Sequence, residues 1–224
     1  MLVITTVTGE RREMVLEPRS VADFYTELFA RLAEIGVEVP IMSRPVEVEV
    51  AIPFAEDSQH ASYDPEYVHR FWRSLVSVDR VFTRFRAGFV GKVSPVHFFW
   101  GSFDLAVTRF SGRRAPRHPG GAPNCPPWVM ERAYSHEVSS CGYWPGGAAE
   151  GTFYSYAYPV PAGYRDHPVA PTGAFFDDAS GEFLLPYEEV RTIGDPDGML
   201  LEFLQSTYDA AADLAGWDRS ELED

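Results

Sequence analysis

The residues of this chain that could do acid–base chemistry begin in one aromatic-rich stretch, 94–112, which reads SPVHFFWGSFDLAVTRFSG. It places His97 and Asp104 among phenylalanine and tryptophan side chains. An aspartate between apolar positions is costly to bury unless it meets a partner, and burial shifts the pKa of a histidine. A histidine and a carboxylate that share a cleft can act as general acid and base. Read as one unbroken strand, however, the stretch predicts opposite faces for the two residues, because a strand has a period of two.

A second pair of candidate catalytic residues, His136 and Glu137, lies on the next predicted strand, 132–143. If that strand pairs with the stretch 94–110, the candidates on the two strands could approach one another. Neighbouring residues on a strand point to opposite faces, so His136 and Glu137 cannot readily share a metal ion. The sequence has no HxH, HExxH or CxxC spacing, so the signal for a metal site is weak, no residue is assigned as a metal ligand and no cofactor is identified.

Aromatic side chains with polar tips could line a pocket beside these groups. The candidate ligand-binding residues are Trp100, Arg109, Trp144, Tyr154 and Tyr156. Tyr154 and Tyr156 share a face of the predicted strand 152–158. The alternative for each candidate is an ordinary place in the core with a satisfied hydrogen bond, and Arg109 could be the buried partner of Asp104.

The elements that would position these residues follow from hydrophobic period and end signals. Helices are predicted at 20–35, 64–90 and 195–216, because apolar residues recur there at spacings of three and four. The side chains that would cap the three helix starts are Ser20, Asp64 and Asp195.

Strands are predicted in succession at 94–110, 132–143, 152–158 and 173–186, the last of these a hairpin. No crossover helix separates them, so they should pair antiparallel. The sequence therefore predicts an α+β fold, with an antiparallel sheet of about five to seven strands covered by the two long helices.

The first fifty residues are predicted to hold a hairpin of 2–6 with 13–16, the helix 20–35 and a half-exposed strand at 46–50. The length of 224 residues fits a single domain, 1–224. Residues 1–52 would then form a hairpin-helix-strand subregion packed on a main body, 63–217.

The charge and cysteine content limit the partners and the compartment. The formal net charge of −14 argues against a general nucleic-acid binder and against an anionic membrane surface as partner. The N-terminus, MLVITTVTGERR, lacks the pattern of a signal peptide, and no apolar segment is long enough to span a membrane. The only cysteines, Cys125 and Cys141, form no CxxC pair, which predicts a reducing, cytoplasmic setting.

Several strings of this sequence resemble an uncharacterised bacterial family known only as a domain of unknown function. The resemblance covers nearly the whole chain, and no activity follows from it. Longer relatives carry additional sequence before the first hairpin, so we expect this chain to lack an N-terminal strand or two, which would leave an exposed edge. The strings are SYDPEYVHRFWRSL, FRAGFVGKVSPVHFFWGSFDLAVTRFSGRRAP, AYSHEVSSCGYWPGG and LLEFLQSTYDAAADLAGWDR.

Three classes of function remain, and the sequence leaves open whether the protein is an enzyme. The first is a small-molecule pocket on the aromatic sheet, for binding or for general acid–base chemistry. The second is an interaction protein that uses an arginine-lined face of the helix 64–90 or an exposed sheet edge, for example in a homodimer. The third is a metal-dependent hydrolase. The arginines of that helix face, which could equally be a solvated surface, are Arg70, Arg73, Arg80 and Arg84.

Overall fold

In the computed structural model, which describes residues 1–146 and 150–224, the chain divides into two compact units. The first unit comprises 1–74 and 122–125, and the second comprises 75–121 and 126–224. The single domain 1–224, with a subregion 1–52 on a body 63–217, stays a prediction.

The first unit begins with a hairpin, as predicted, in which β1 (Leu2–Thr5) pairs antiparallel with β2 (Arg11–Met14); the return strand lies two residues before the predicted 13–16. Helix α1 (Val21–Ala33) follows, and its start is capped as predicted. The hydroxyl of Ser20 accepts a hydrogen bond from the backbone N–H of Asp23 over 3.0 Å, which satisfies one of the free donors at the helix start.

The predicted strand at 46–50 is wrong. Glu47 has a φ of 65°, in the left-handed region, and its N–H donates to the carbonyl of Pro123 over 2.8 Å. A left-handed residue interrupts the alternation of a strand, so the valines of this segment do not line one face of a sheet. Val48 and Val50 are exposed.

Helix α2 (Pro65–Ala87) begins at Asp64, as predicted, and ends three residues before the predicted limit of 90. The Asp64 carboxylate accepts from the N–H of Glu66 over 2.8 Å. Residues of α2 up to Ser74 belong to the first unit and those from Leu75 to the second. In the second unit its buried face comprises Val78, Val81, Phe82 and Phe85.

Six strands of the second unit's described residues form one antiparallel sheet in the order β3-β4-β5-β6-β8-β7. This confirms the predicted α+β class and the antiparallel sheet. The strands are β3 (His97–Phe99), β4 (Asp104–Arg114), β5 (His136–Trp144), β6 (Thr152–Tyr158), β7 (Phe175–Asp177) and β8 (Glu182–Pro186).

The stretch 94–110 is a hairpin, and the prediction of one strand was wrong. The chain reverses between Phe99 and Asp104, which pair with each other, and Phe103 takes a φ of 65° in the turn. Gly101 and Ser102 stand in this turn, where small residues ease the reversal. Because directly paired residues share a face, His97 and Asp104 lie on the same face of the sheet and not on opposite ones.

The helices of the second unit complete the fold. Where the start of a strand was predicted near residue 132, the chain forms a short helix, α3, and β5 begins at His136. The long helix predicted at 195–216 is present and starts at its capping residue, Asp195. The helices are α3 (Pro127–Ala133), α4 (Tyr187–Arg191), α5 (Pro196–Leu214) and α6 (Arg219–Leu222).

The two faces of the sheet differ in what covers them. One, which we call the helix face, carries Val107, Arg109, Cys141 and Phe153 and packs against α5, where Tyr208 meets Arg109. The main core lies between this face and α5. The opposite face, which we call the cleft face, carries small or polar residues at its centre, and these leave room for a concave site. They are Ala106, Thr108, Ser140 and Gly142.

Candidate functional site

A cleft of about 580 Å³ lies on the cleft face of the sheet, within the second unit. Its volume is in the range of small-molecule sites. It combines aromatic walls with carboxylates contributed by several different strands. The aromatic and acidic residues that line it include Asp104, Trp144, Tyr154, Tyr156, Asp177 and Glu182.

Asp104, the buried carboxylate at the start of β4, is held by two hydroxyl groups. The hydroxyl of Tyr154 on β6 donates to Oδ2 of Asp104, and the hydroxyl of Ser102 donates to Oδ1 over 2.5 Å. Burial, and then the nearby charge of Asp104, raise the pKa of Tyr154 well above its usual value. Tyr154 therefore stays a neutral hydrogen-bond donor, and the Asp104 charge is compensated although the residue is only 5% exposed.

Tyr154 reaches Asp104 across the intervening strand β5 because residue 142 on that strand is glycine. A Cβ atom built on Gly142 would lie 2.5 Å from Cε1 of Tyr154, far inside van der Waals contact. Gly142 pairs directly with Tyr154 in the sheet, so the ring lies over its backbone. The absence of a side chain at this position allows the hydrogen bond between β4 and β6.

Trp144 forms one wall of the cleft and is fixed by its indole nitrogen. Nε1 of Trp144 donates to the carbonyl of Ser102 over 3.0 Å, which ties the end of β5 to the turn before β4. Close packing around the ring continues at Gly146, where a Cβ would lie 2.8 Å from the indole. The tryptophan therefore presents its ring to the cleft in a defined orientation, although it is 40% exposed.

Tyr156, the next residue of β6 on the cleft face, is held from the other side. Its ring lies nearly parallel to that of Tyr154, with 6.1 Å between the ring centroids. Its hydroxyl shares a 2.8 Å hydrogen bond with the hydroxyl of Tyr134, which stacks on His118. Burial raises the pKa of Tyr156 well above its usual value, so this aromatic wall is uncharged at neutral pH.

Glu182 and Asp177 bring two more carboxylates to the cleft from the hairpin of β7 and β8, where they pair directly. Asp177 accepts the backbone N–H of Ser180 over 2.7 Å, and this contact lowers its pKa. Burial, followed by the charges of Asp104 and Asp177, raises the pKa of Glu182 from 4.5 to about 7. The cleft therefore contains one carboxyl group that changes its charge close to neutral pH.

The structure brings together four of the residues singled out from the sequence. Asp104, Trp144, Tyr154 and Tyr156 all line the cleft. Their proposed roles in catalysis or binding stay predictions. Asp104 has its partners in Ser102 and Tyr154, so Arg109 is not the counter-ion that the sequence suggested.

Two further candidate residues of the first stretch do not line the cleft. His97 is on the cleft face and packs against Phe99, with 4.3 Å between the ring centroids. Burial lowers the pKa of His97, although the charge of Asp104 partly opposes this effect. Trp100 stands in the β3–β4 turn and is 81% exposed, so it forms no part of a pocket wall.

His136 and Glu137 are not brought to Asp104, although β4 and β5 pair as the hypothesis required. His136 pairs with Arg114, ten residues from Asp104 and so roughly 30 Å away along the strand. Glu137 bonds the guanidinium of Arg113 at 2.7 Å. The predicted constellation of His97 or Asp104 with these two residues therefore does not form, because antiparallel pairing places the start of β5 beside the end of β4.

Arg109 lies on the helix face, away from the cleft, and is 2% exposed. Its guanidinium carbon stands 3.6 Å from the ring centroid of Phe85 and 4.3 Å from that of Tyr208, and the group donates to the carbonyl of Phe85. Burial lowers its pKa. Arg109 thus joins the sheet to α2 and α5 through cation–π contacts.

Glu182 and Asp177 line the cleft but are not among the candidate residues that the sequence indicates. The hairpin of 173–186 was predicted, but its two acidic residues were assigned to no site. The sequence does carry a usable signal, since a turn of 178–181 places the residues that flank it, Asp177 and Glu182, directly opposite each other. What was missing was the knowledge that β8 pairs with β6, which turns both carboxylates toward Tyr154 and Tyr156.

The arginine face of α2 is partly occupied within the protein. In the second unit Arg80 forms an ion pair with Asp197, at 2.8 Å between Nη2 and Oδ1. In the first unit the Arg70 guanidinium lies 5.4 Å from the ring centroid of Tyr67. These contacts fit a solvated face, and use of this face for docking stays a prediction.

The described part of the chain also bears on metal binding, thiol reactivity and membrane insertion. Within residues 1–146 and 150–224 no group of three or more His, Cys, Asp or Glu side chains is placed to hold a metal ion. Burial raises the pKa of the Cys141 thiol to about 12, so this thiol is a poor nucleophile. None of the helices in these residues combines the length and the apolar character that crossing a lipid bilayer requires.

Comparison with known proteins identifies a family and no activity. One family model, described as a family of unknown function (DUF5996), matches residues 1–224. No curated protein and no solved structure matches.

Proposed function

The chain belongs to this family of unknown function, DUF5996, and we propose that it binds a small molecule in the cleft on the cleft face of its sheet. The observation that carries the proposal is the cleft itself, with aromatic walls and a few convergent polar groups. A concave, mostly apolar site of this size with a carboxyl group of shifted pKa is the usual form of a ligand site.

The walls of the cleft are held in place before any ligand arrives. Tyr154 is fixed by Asp104, Trp144 by the carbonyl of Ser102, and Tyr156 by Tyr134. Side chains that are already ordered lose little conformational entropy when a ligand binds. This preorganisation supports a binding role over incidental surface packing.

Acid–base chemistry is a second candidate, and the position of Glu182 favours it. A carboxyl group with a pKa of about 7 can take a proton from a bound substrate and return it within one cycle. Ligands found by screening can be incubated with the protein in D₂O and followed by proton NMR. Protein-dependent loss of a C–H signal that Glu182→Ala abolishes would support catalysis, and unchanged spectra would leave binding alone.

Binding is tested by screening a fragment library of mixed charge against the whole chain by ligand-observed NMR. We expect hits that Leu184→Trp abolishes, because Leu184 lines the cleft and an indole there fills it. Leu214→Trp, at an exposed position of α5, is the matched control and should leave the hits unchanged. If no fragment of any charge binds the wild-type protein in a way that Leu184→Trp removes, the proposal is wrong.

The remaining proposals concern partners and compartment. We propose that the protein does not bind nucleic acid, because its net charge of −14 would repel the phosphate backbone. The two cysteines, which form no CxxC pair, support a reducing, cytoplasmic setting. A homodimer formed through a sheet edge is the alternative function, since β7 is an edge strand and Phe175 on it is 49% exposed. Sedimentation velocity on the wild type and on Phe175→Glu tests this alternative. A dimer in the wild type that becomes a monomer in the variant would support pairing through the β7 edge.

A further inference from the structure

The charged groups that line the cleft are all acidic. Asp104, Asp177 and Glu182 face it from β4, β7 and β8. Among the described residues that line it there is no lysine, arginine or histidine. An anionic ligand would meet three carboxylates and no counter-charge, so the electrostatics of the cleft favour a cation.

Two of the three carboxylates already have donors, and the third does not. Asp104 accepts from the hydroxyls of Ser102 and Tyr154, and Asp177 accepts from the N–H of Ser180. Within the part of the chain that the structure describes, the half-buried carboxylate of Glu182 forms no hydrogen bond or ion pair. Such a group has the most to gain from a ligand that brings a positive charge.

The walls of the cleft suit an organic cation. Trp144 is tied in place at one side, and Tyr154 and Tyr156 present a pair of nearly parallel rings, 19° apart, on the adjacent strand. Indole and phenol faces attract ammonium groups, and the attraction grows when water is excluded. Small inorganic cations are held instead by grouped oxygen ligands, and these carboxylates do not form such a group.

We propose that the ligand of this cleft is an organic ammonium compound, with a protonated or quaternary amine on an apolar body. Glu182 is the counter-ion of the ammonium group, and Trp144, Tyr154 and Tyr156 pack around it. This inference rests on the proposed small-molecule function and specifies the class of ligand.

Choline and its neutral carbon analogue, 3,3-dimethylbutan-1-ol, test the proposal because they have nearly the same shape and differ in charge. Each is titrated into ¹⁵N-labelled whole protein at pH 8, where Glu182 is ionised, and shifts of the amide signals of the cleft residues give the dissociation constant. We expect choline to bind at least tenfold more tightly than the alcohol.

Two variants separate a charge effect from a change of fold. Glu182→Gln keeps the shape of the side chain and should weaken choline binding about tenfold or more, with no effect on the alcohol. Glu202→Gln removes a charge at an exposed position of α5 and should change neither affinity. The amide spectrum of each variant reports whether the fold is retained.

Each other outcome overturns the inference in an identifiable way. Equal affinity for choline and its analogue would show that the cleft does not recognise the positive charge. Loss of choline binding in Glu202→Gln as well would show that the effect of Glu182→Gln is not specific to the cleft. Calcium chloride that displaces choline from the same residues at equal concentration would assign the carboxylates to a metal ion. If the fragment screen yields only neutral or anionic hits in the cleft, the ligand class is wrong and the small-molecule function stands. If the screen yields no hits in the cleft, both the ligand class and the small-molecule function are wrong.

Discussion

The hydroxyl of Tyr154 on β6 donates a hydrogen bond to the carboxylate of Asp104 on β4, two strands away in the same sheet. The intervening strand permits this because Gly142 has no side chain where the tyrosine ring crosses it. One glycine thus decides that a buried carboxylate is paired and that the ring of Tyr154 lies over the backbone of β5 in the cleft. The charge of Asp104, held at this position by the hydrogen bond, is one of the causes that raise the pKa of Glu182.

Gly142→Ala is expected to lower the free energy of unfolding by about 1–3 kcal/mol, the usual range for overpacking a closely packed site. The new methyl group would overlap the Tyr154 ring and push it away from Asp104. Urea unfolding followed by tryptophan fluorescence measures the change. In Tyr154→Ala the space is vacant, so Gly142→Ala in that background should cost little. If Gly142→Ala lowers the free energy of unfolding equally in the wild type and in Tyr154→Ala, the methyl group does not clash with the Tyr154 ring.

Glu182→Gln is expected to stabilise the protein at pH 8 by about 1–2 kcal/mol after allowance for solvent screening, and to have no effect at pH 4. The folded state raises the pKa of Glu182 from 4.5 to about 7, so it holds a proton that the unfolded chain has released over this range. The wild-type protein therefore loses stability, relative to the variant, as pH rises from 4.5 to 7.

The difference in unfolding free energy between variant and wild type, measured by urea unfolding at half-unit steps of pH, tests this prediction. Glu202→Gln corrects for the loss of one negative charge from an acidic chain. A constant difference across the pH range would show that the pKa of Glu182 is not shifted by folding, and a difference that grows toward pH 4 would show that it is lowered; either result would contradict the prediction.

Arg109→Ala is expected to destabilise the protein by about 3–5 kcal/mol, because it leaves a cavity between Phe85 and Tyr208 and removes a buried cation–π contact. Arg109→Met fills most of that volume and should cost less than half as much. Thermal and urea unfolding measure both. Since Arg109 lies on the helix face, ligand affinity in the cleft should be unchanged in Arg109→Met, and a loss there would assign it a binding role.

The Cys141 thiol is expected to resist alkylation in the folded protein. It is buried in β5 and its pKa is raised to about 12, so almost no thiolate is present at pH 8. In a Cys125→Ser background, iodoacetamide should modify Cys141 at least a hundredfold more slowly in buffer than in 6 M urea, as mass spectrometry would show. Rapid modification in buffer would mean that this strand opens readily.

Local pattern was enough to predict much of the scaffold from the sequence. The apolar stripes and the capping residues Ser20, Asp64 and Asp195 predicted the long helices, because helix periodicity and capping depend on residues within one or two turns. The succession of strands without crossover helices predicted the antiparallel sheet. The period of two along the predicted strand 152–158 places Tyr154 and Tyr156 on one face, without any knowledge of which strands pair.

What the sequence by itself determined, then, is the set of elements and the polar and aromatic residues that each face carries. Only the tertiary structure decided which of those residues meet. It reversed the chain between Phe99 and Asp104, carried His136 to the far end of β4, and set Glu182 opposite Asp177 beside Tyr156. The physical reason is that strand register and order arise from contacts between residues distant in sequence, and a reversal or a shift of one residue exchanges the faces of a whole strand.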